Sequence, residues 1–177
     1  MCVIVTNMKT TFKDISYTIF GIIYIVYFIM FLALIRGLEH GKMLIGYAII
    51  SAWGTDIFAY FIGKRFGKHH FSKISPKKSI EGCIGGIVGV LIMAMVYTLI
   101  INNFVDINIS YIYIVISTIV LSLISQIGDF SASSIKRMVD IKDFSNLIPG
   151  HGGMLDRIDS LIFIAPFAYM IFNFINF

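Results

Sequence analysis

The sequence predicts an all-α, polytopic membrane protein with about five transmembrane helices, and three observations carry that prediction. Only 14% of the 177 residues are charged, against about 25% in an ordinary soluble domain. The uncharged residues gather into runs of roughly the 20 residues that a helix needs to cross the hydrocarbon core. The positive charges gather between those runs, twelve of the fourteen in three segments. A mean hydropathy of +0.87, with sixteen Phe, nine Met and only three Pro, excludes a soluble, disordered, collagen-like or disulfide-stapled chain. Cys2 and Cys83 stand too far apart in sequence to suggest a metal pattern or a disulfide framework.

The first run, 15–35, is bracketed by Asp14 and Arg36. It is too long for a signal-peptide core, and no small-residue cleavage site follows it. The second, 43–63, is broken by one charge, Asp56. The third and fourth, 82–105 and 107–128, are parted only by Asp106 in a polar turn, and the fifth is 160–177. One membrane domain, 1–177, results, with loops at 64–81 and 129–159. Those loops hold Lys64, Arg65, Lys68, Lys73, Lys77, Lys78, Lys136, Arg137, Lys142 and Arg157, and the N-terminal tail holds Lys9 and Lys13. Five crossings put all three segments on one side, which the positive-inside rule makes cytoplasmic. A cytoplasmic N-terminus in a multi-pass cell-membrane protein is therefore expected.

Ionisable residues inside a span are costly and usually serve a polar cavity or a partner. Asp56 is such a residue, sharing a helix face with Trp53 and Tyr60. Its competing reading is an interfacial carboxylate paired with Lys64. Beyond the fourth run, Asp129, Ser133, Lys136 and Asp140 recur at four-, three- and four-residue spacing, so a helix continuing past the membrane would align them. A carboxylate, a hydroxyl and cations on one face suit a Mg²⁺–phosphate site; they equally suit a solvated face with internal ion pairs. The next stretch, LIPGHGGMLDRIDS, tips the balance. Its glycines permit a turn whose N–H groups converge on an anion, and Asp156 and Asp159 open the fifth helix beside Arg157 and His151. The basic loop 64–81 reads mainly as topological. The glycines of GCIGGIVG, at four-residue spacing, suit close helix packing in lipid.

The segment SSIKRMVDIKDFSNLIPGHGGMLDRID, Ser133 to Asp159, resembles the signature of phosphatidate cytidylyltransferases (CDP-diacylglycerol synthases), and WGTDIFAYFIGKRFGKHHFSKISPKKSIEG, Trp53 to Gly82, is similar to a second block of that family. The likeness covers roughly residue 23 to the C-terminus and departs at Phe58 and Ser79. It implies transfer of a cytidylyl group from CTP to phosphatidic acid with Mg²⁺, a second cation being compatible. By the resemblance, Asp129 and Asp156 hold the metal centre. Lys136, Arg137, Lys142 and Arg157 are then expected to contact phosphates, and Asp143 and Asp159 to orient those cations or metal-bound water. His151, Gly152 and Gly153 are expected at the pyrophosphate or headgroup, with Ser133, Lys77, Lys78 and Asp56 lining the substrate site.

CTP, phosphatidic acid and the bilayer are the expected partners, with a homodimer compatible and no nucleic acid. Members of this family are usually longer, so a minimal form or a piece of a longer reading frame is expected. The alternatives are a related CTP-dependent lipid enzyme, such as a CDP-archaeol synthase or a dolichol kinase-like enzyme, or an inactive fragment that binds anionic lipid.

Overall fold

The computed structural model describes residues 11–69, 78–104, 109–145 and 153–175. Among them there is no β-strand; the chain is an all-α membrane protein built from five long helical stretches. We number them α1 (Phe12–Gly37), α2 (Gly41–Phe66), α3 (Ile80–Phe104), α4 (Tyr111–Met138) and α5 (Leu155–Ile175). The first four, of 26, 26, 25 and 28 residues, are long and apolar enough to cross a bilayer. The 21-residue α5 packs among them along the expected fifth span.

Local chemistry sets the helix ends. Thr11 and Asp14 form a capping box at the start of α1, the Thr11 N–H donating to Asp14 Oδ2 at 2.7 Å. The turn into α2 passes through His40 in the left-handed region at φ 55°. Between α3 and α4, the Asn102 amide both donates to the Ile109 carbonyl (3.2 Å) and accepts from its N–H (3.0 Å), satisfying both groups without water. Helix α4 ends at Met138 and is closed two residues on by Asp140, also at φ 55°, after which the Ile141 N–H reaches back to the Lys136 carbonyl.

Neighbouring helices from α2 to α5 run antiparallel. The α2–α3 interface is the most extensive, and the glycine pattern makes it so. A Cβ on Gly82 would stand 2.7 Å from the Ala59 carbonyl oxygen and 3.0 Å from the Gly63 Cα. In lipid no water is expelled between helices, so such close approach supplies the attraction. Phe58 lies over Gly89, whose missing side chain makes room for its ring. Deeper in, the Tyr47 hydroxyl donates to Thr98 Oγ1 at 2.8 Å across the same interface. Helix α4 packs on α3 and α5, and α1 on α5. The rings of Phe28 and Phe163 (6.4 Å between centroids) and of Phe31 and Tyr169 (5.7 Å) make the α1–α5 pair parallel. Outward faces carry exposed apolar residues such as Phe20, Ile92 and Ile112, as lipid-facing surfaces should.

This topology brings the ends of α2 and α4 and the starts of α3 and α5 together at one end of the bundle.

Candidate active site

At that end a cavity of about 220 Å³ opens among α2, α3 and α4, lined by Asp56, Tyr60, Lys78, Cys83, Gln126 and Asp129 among others. Gln126, almost fully buried on α4, donates to the Cys83 carbonyl at 3.2 Å and ties α4 to α3 beneath it. Lys78, just before α3, forms an ion pair with Asp129 Oδ2 and lies 4.2 Å from the centroid of the Phe130 ring. The same ammonium thus meets a carboxylate and a π face, which holds it over the cavity.

Asp56 takes a hydrogen bond from the Ser160 hydroxyl at 2.9 Å, so its partner lies on α5. Lys64 instead lies 5.9 Å from the Tyr60 ring. The interfacial reading of Asp56 as a partner of Lys64 is thereby replaced. Trp53, one turn earlier, donates its indole N–H to the Arg157 carbonyl at 3.1 Å and joins α2 to the start of α5.

Beside the cavity lies a second charged group. Lys136 Nζ donates to Asp156 Oδ1 at 2.8 Å and stands 3.7 Å from Asp159 Oδ2. The side chains are 11%, 6% and 8% exposed, so this ion-pair network is well shielded. Asp156 Oδ2 also accepts from the Phe144 N–H (2.9 Å) and the Gly153 N–H (3.0 Å). Burial pushes the Asp156 carboxyl up, but Lys136 and these two N–H groups outweigh it. The net effect holds Asp156, which precedes the apolar run of α5, below the usual carboxylate range. Gly153 allows that approach, since a Cβ there would stand 2.5 Å from Ser145 Oγ. Asp159, 5% exposed, accepts from the Ser160 N–H at 2.8 Å.

The sequence-predicted residues separate accordingly. Asp56, Lys78 and Asp129 wall one cavity, while Lys136, Asp156 and Asp159 form one ion-pair group. Ser160 bonds both, its hydroxyl donating to Asp56 and its N–H to Asp159, so the two groups are neighbours. Ser133 lies on α4, partly buried, one turn past Asp129. Asp140 falls beyond α4 in a left-handed turn, so the expected four-residue stripe ends at Lys136. Arg137 turns back to donate to the Ile141 carbonyl at 3.2 Å and helps close the helix end. Lys142 and Asp143 are exposed on the following loop. Arg157 is exposed at the start of α5. Lys77, His151 and Gly152 lie outside the described residues.

Sequence reasoning missed Ser160 and Glu81. Ser160 was legible as a small hydroxyl on the α5 face four residues after Asp156. Glu81 accepts from the Lys68 and His69 N–H groups (3.1 and 3.3 Å) and meets His69 Nδ1 at 2.7 Å. It thereby pins the loop leaving α2 against the start of α3; an acid in the first turn of a helix was the available signal.

Among the described residues, no group of three His, Cys, Asp or Glu is placed to hold a metal ion. Mg²⁺ commonly needs less: one or two carboxylates, with substrate phosphates and water completing the octahedron. The donor set suits it: Asp129 pairs with Lys78, Asp156 and Asp159 gather at Lys136, and Asp56 stands in the same cavity wall with a neutral hydroxyl as its partner, so carboxylate oxygens outnumber the ammoniums beside them.

The profile of the Cytidylyltransferase family matches residues 1–175. The chain is 40% identical over 163 residues to the phosphatidate cytidylyltransferase of Bacillus subtilis, covering 91% of this chain and 59% of that protein. It is 37% identical over 168 residues to that of Thermotoga maritima, covering 93% and 62%. With that of Haemophilus influenzae it is 42% identical over 140 residues, covering 77% and 48%. The chain thus spans about three fifths of the length of the first two relatives.

Proposed function

The chain belongs to the cytidylyltransferase family, and from that premise we propose that it transfers the cytidylyl group of CTP to phosphatidic acid, forming CDP-diacylglycerol and pyrophosphate. An oxygen of the phosphatidate phosphate forms a bond to the α-phosphorus of CTP, and the α–β phosphoanhydride bond breaks. Pyrophosphate leaves with that bonding pair. Both reactants are anions, so the work is positioning and charge cancellation. The supporting observation is the pairing of a carboxylate- and lysine-walled cavity, Asp56, Lys78 and Asp129, with the buried Lys136–Asp156–Asp159 network beside it.

In this reading Lys78, held over the cavity, contacts the nucleotide phosphates, and Lys136 exchanges a carboxylate oxygen for a phosphate oxygen. Arg137, Lys142 and Arg157 supply further positive charge at the rim. Mg²⁺, bound by Asp129 and Asp156, would neutralise phosphate charge and polarise the α-phosphoryl group. Asp159 keeps Lys136 oriented, and the Ser160 hydroxyl holds Asp56 in the cavity wall. The helices anchor the acyl tails in the bilayer while the site meets CTP on the cytoplasmic side of the cell membrane, the side that the lysine distribution favours.

The test is purified chain in phosphatidate–detergent micelles with labelled CTP and Mg²⁺, followed by recovery of lipid-soluble label. Wild type is expected to give CDP-diacylglycerol, and Asp129→Ala and Asp156→Ala none. A folded, monodisperse wild type that forms no product overturns the reading for this chain.

A further inference from the structure

Helix α1 touches the bundle chiefly along α5, and its surface is otherwise apolar and outward. One polar atom breaks that pattern. The Tyr24 hydroxyl is buried and has no hydrogen-bond partner among the described residues. An O–H group buried without an acceptor is costly, more so where no water reaches it. It also sits where the helix is distorted: Ile23–Tyr27 is a π-helical turn, a feature that re-aims side chains and recurs at functional sites.

The register of α1 on α5 says what Tyr24 faces. Phe28 meets Phe163, and Phe31 meets Tyr169, in parallel helices. The Tyr24 ring meets Phe28 (5.6 Å), so the two share a face despite the π-helical turn, and Asp159 precedes Phe163 by one α-helical turn; one turn toward the site, Tyr24 is therefore on the side of α1 that faces Asp159. The Asp159 charge is felt at the Tyr24 hydroxyl. Asp159 is itself under-bonded: Oδ1 accepts from the Ser160 N–H at 2.8 Å, but Oδ2 has Lys136 Nζ no closer than 3.7 Å, beyond hydrogen-bond length. A buried donor without an acceptor thus faces a buried acceptor without a close donor.

We infer that Tyr24 is a positioning residue for Asp159, its phenolic O–H donating to Asp159 Oδ2 when Lys136 turns from the carboxylates to a substrate phosphate. The inference rests on the function proposed above, which supplies the reason for Lys136 to turn. Without a replacement donor, departure of Lys136 would strand a buried carboxylate. Tyr24 meets that need from a helix that also meets α5 ring against ring, at Phe163 and Tyr169, and it couples the seating of α1 to the charged site.

Tyr24→Phe tests this cleanly, because the ring contacts with Phe20 (5.8 Å) and Phe28 (5.6 Å) survive and only the hydroxyl is lost. In the otherwise wild-type chain it is expected to lower kcat about tenfold, with KM for CTP and phosphatidate unchanged. The thermal midpoint should stay or rise, since an unpaired hydroxyl leaves the interior. In a Lys136→Met background, where Asp159 depends on Tyr24, the same change is expected to lower the midpoint by roughly 2–4 °C. Unchanged kcat in the wild-type background, or equal midpoint shifts in both backgrounds, overturns the inference. If wild type forms no product, the function reading fails, and the midpoint comparison still decides the Tyr24–Asp159 pairing. If Lys136→Met does not fold, the kcat comparison decides it.

Discussion

The Ser160 hydroxyl on α5 donates to Asp56 Oδ2 on α2 at 2.9 Å, although 104 positions separate the two residues. This bond fixes a carboxylate inside a membrane-spanning helix at the wall of the cavity, and it makes α5 part of the Asp56 environment.

Ser160→Ala is therefore expected to destabilise the chain by about 1–3 kcal/mol, the cost of leaving a shielded carboxylate without its donor. Asp56→Asn still accepts from Ser160 and removes a shielded charge, so its thermal midpoint should hold or rise while kcat/KM falls. Thermal unfolding in detergent beside product formation checks both. A large loss of stability in Asp56→Asn would show that Asp56 is chiefly structural.

Asp129→Asn is expected to reduce kcat by on the order of 10²-fold or more, an effect of the size seen when a transition-state electrostatic contact is removed. Chelation with EDTA should abolish product in the wild type, and added Mg²⁺ should restore it. Titrating Mg²⁺ against Asp129→Asn should show a higher requirement, whereas an unchanged Mg²⁺ curve would remove Asp129 from the metal.

Lys78→Met should raise KM for CTP about tenfold, one lost charge-assisted phosphate contact, with a smaller effect on KM for phosphatidate. Steady-state kinetics with each substrate varied in turn reads the difference. Equal effects on both would move Lys78 from the nucleotide to the shared reaction centre.

Gly82→Ala forces a methyl against the Ala59 carbonyl at 2.7 Å. It should cost about 1–3 kcal/mol by overpacking and also lower activity, because the start of α3 carries the cavity wall. Gly21→Ala meets nothing within 4 Å and should stabilise α1 by about 0.5–1 kcal/mol. Thermal midpoints of the pair separate packing from helix propensity.

Much of this architecture is legible locally. Hydrophobic runs disclose helices because a bilayer accepts little else, and the GCIGGIVG spacing discloses a close-packed face on α3, though not its α2 partner, because a helix repeats its face every three to four residues. Asp129 and Asp156 stand out for the same reason: carboxylates beside cations at the end of an apolar run demand a partner. The partners themselves were not legible. Lys136 and Asp156 are 20 positions apart, Trp53 and Arg157 are 104 apart, and no local periodicity encodes such pairs. The stripe extrapolated to Asp140 failed where α4 closes through a left-handed residue, a capping event that helical spacing cannot anticipate.

The amino-acid sequence alone determined the helical class, the apolar runs, and which charges cluster at one end, because each follows from composition and periodicity over a single segment. Tertiary structure decided which lysine serves which carboxylate: Lys78 holds Asp129, and Lys136 holds Asp156. It also decided that Asp56 answers to Ser160. These pairings depend on how five helices sit side by side, and that arrangement is set by close packing summed over whole interfaces, glycine against backbone and ring against ring.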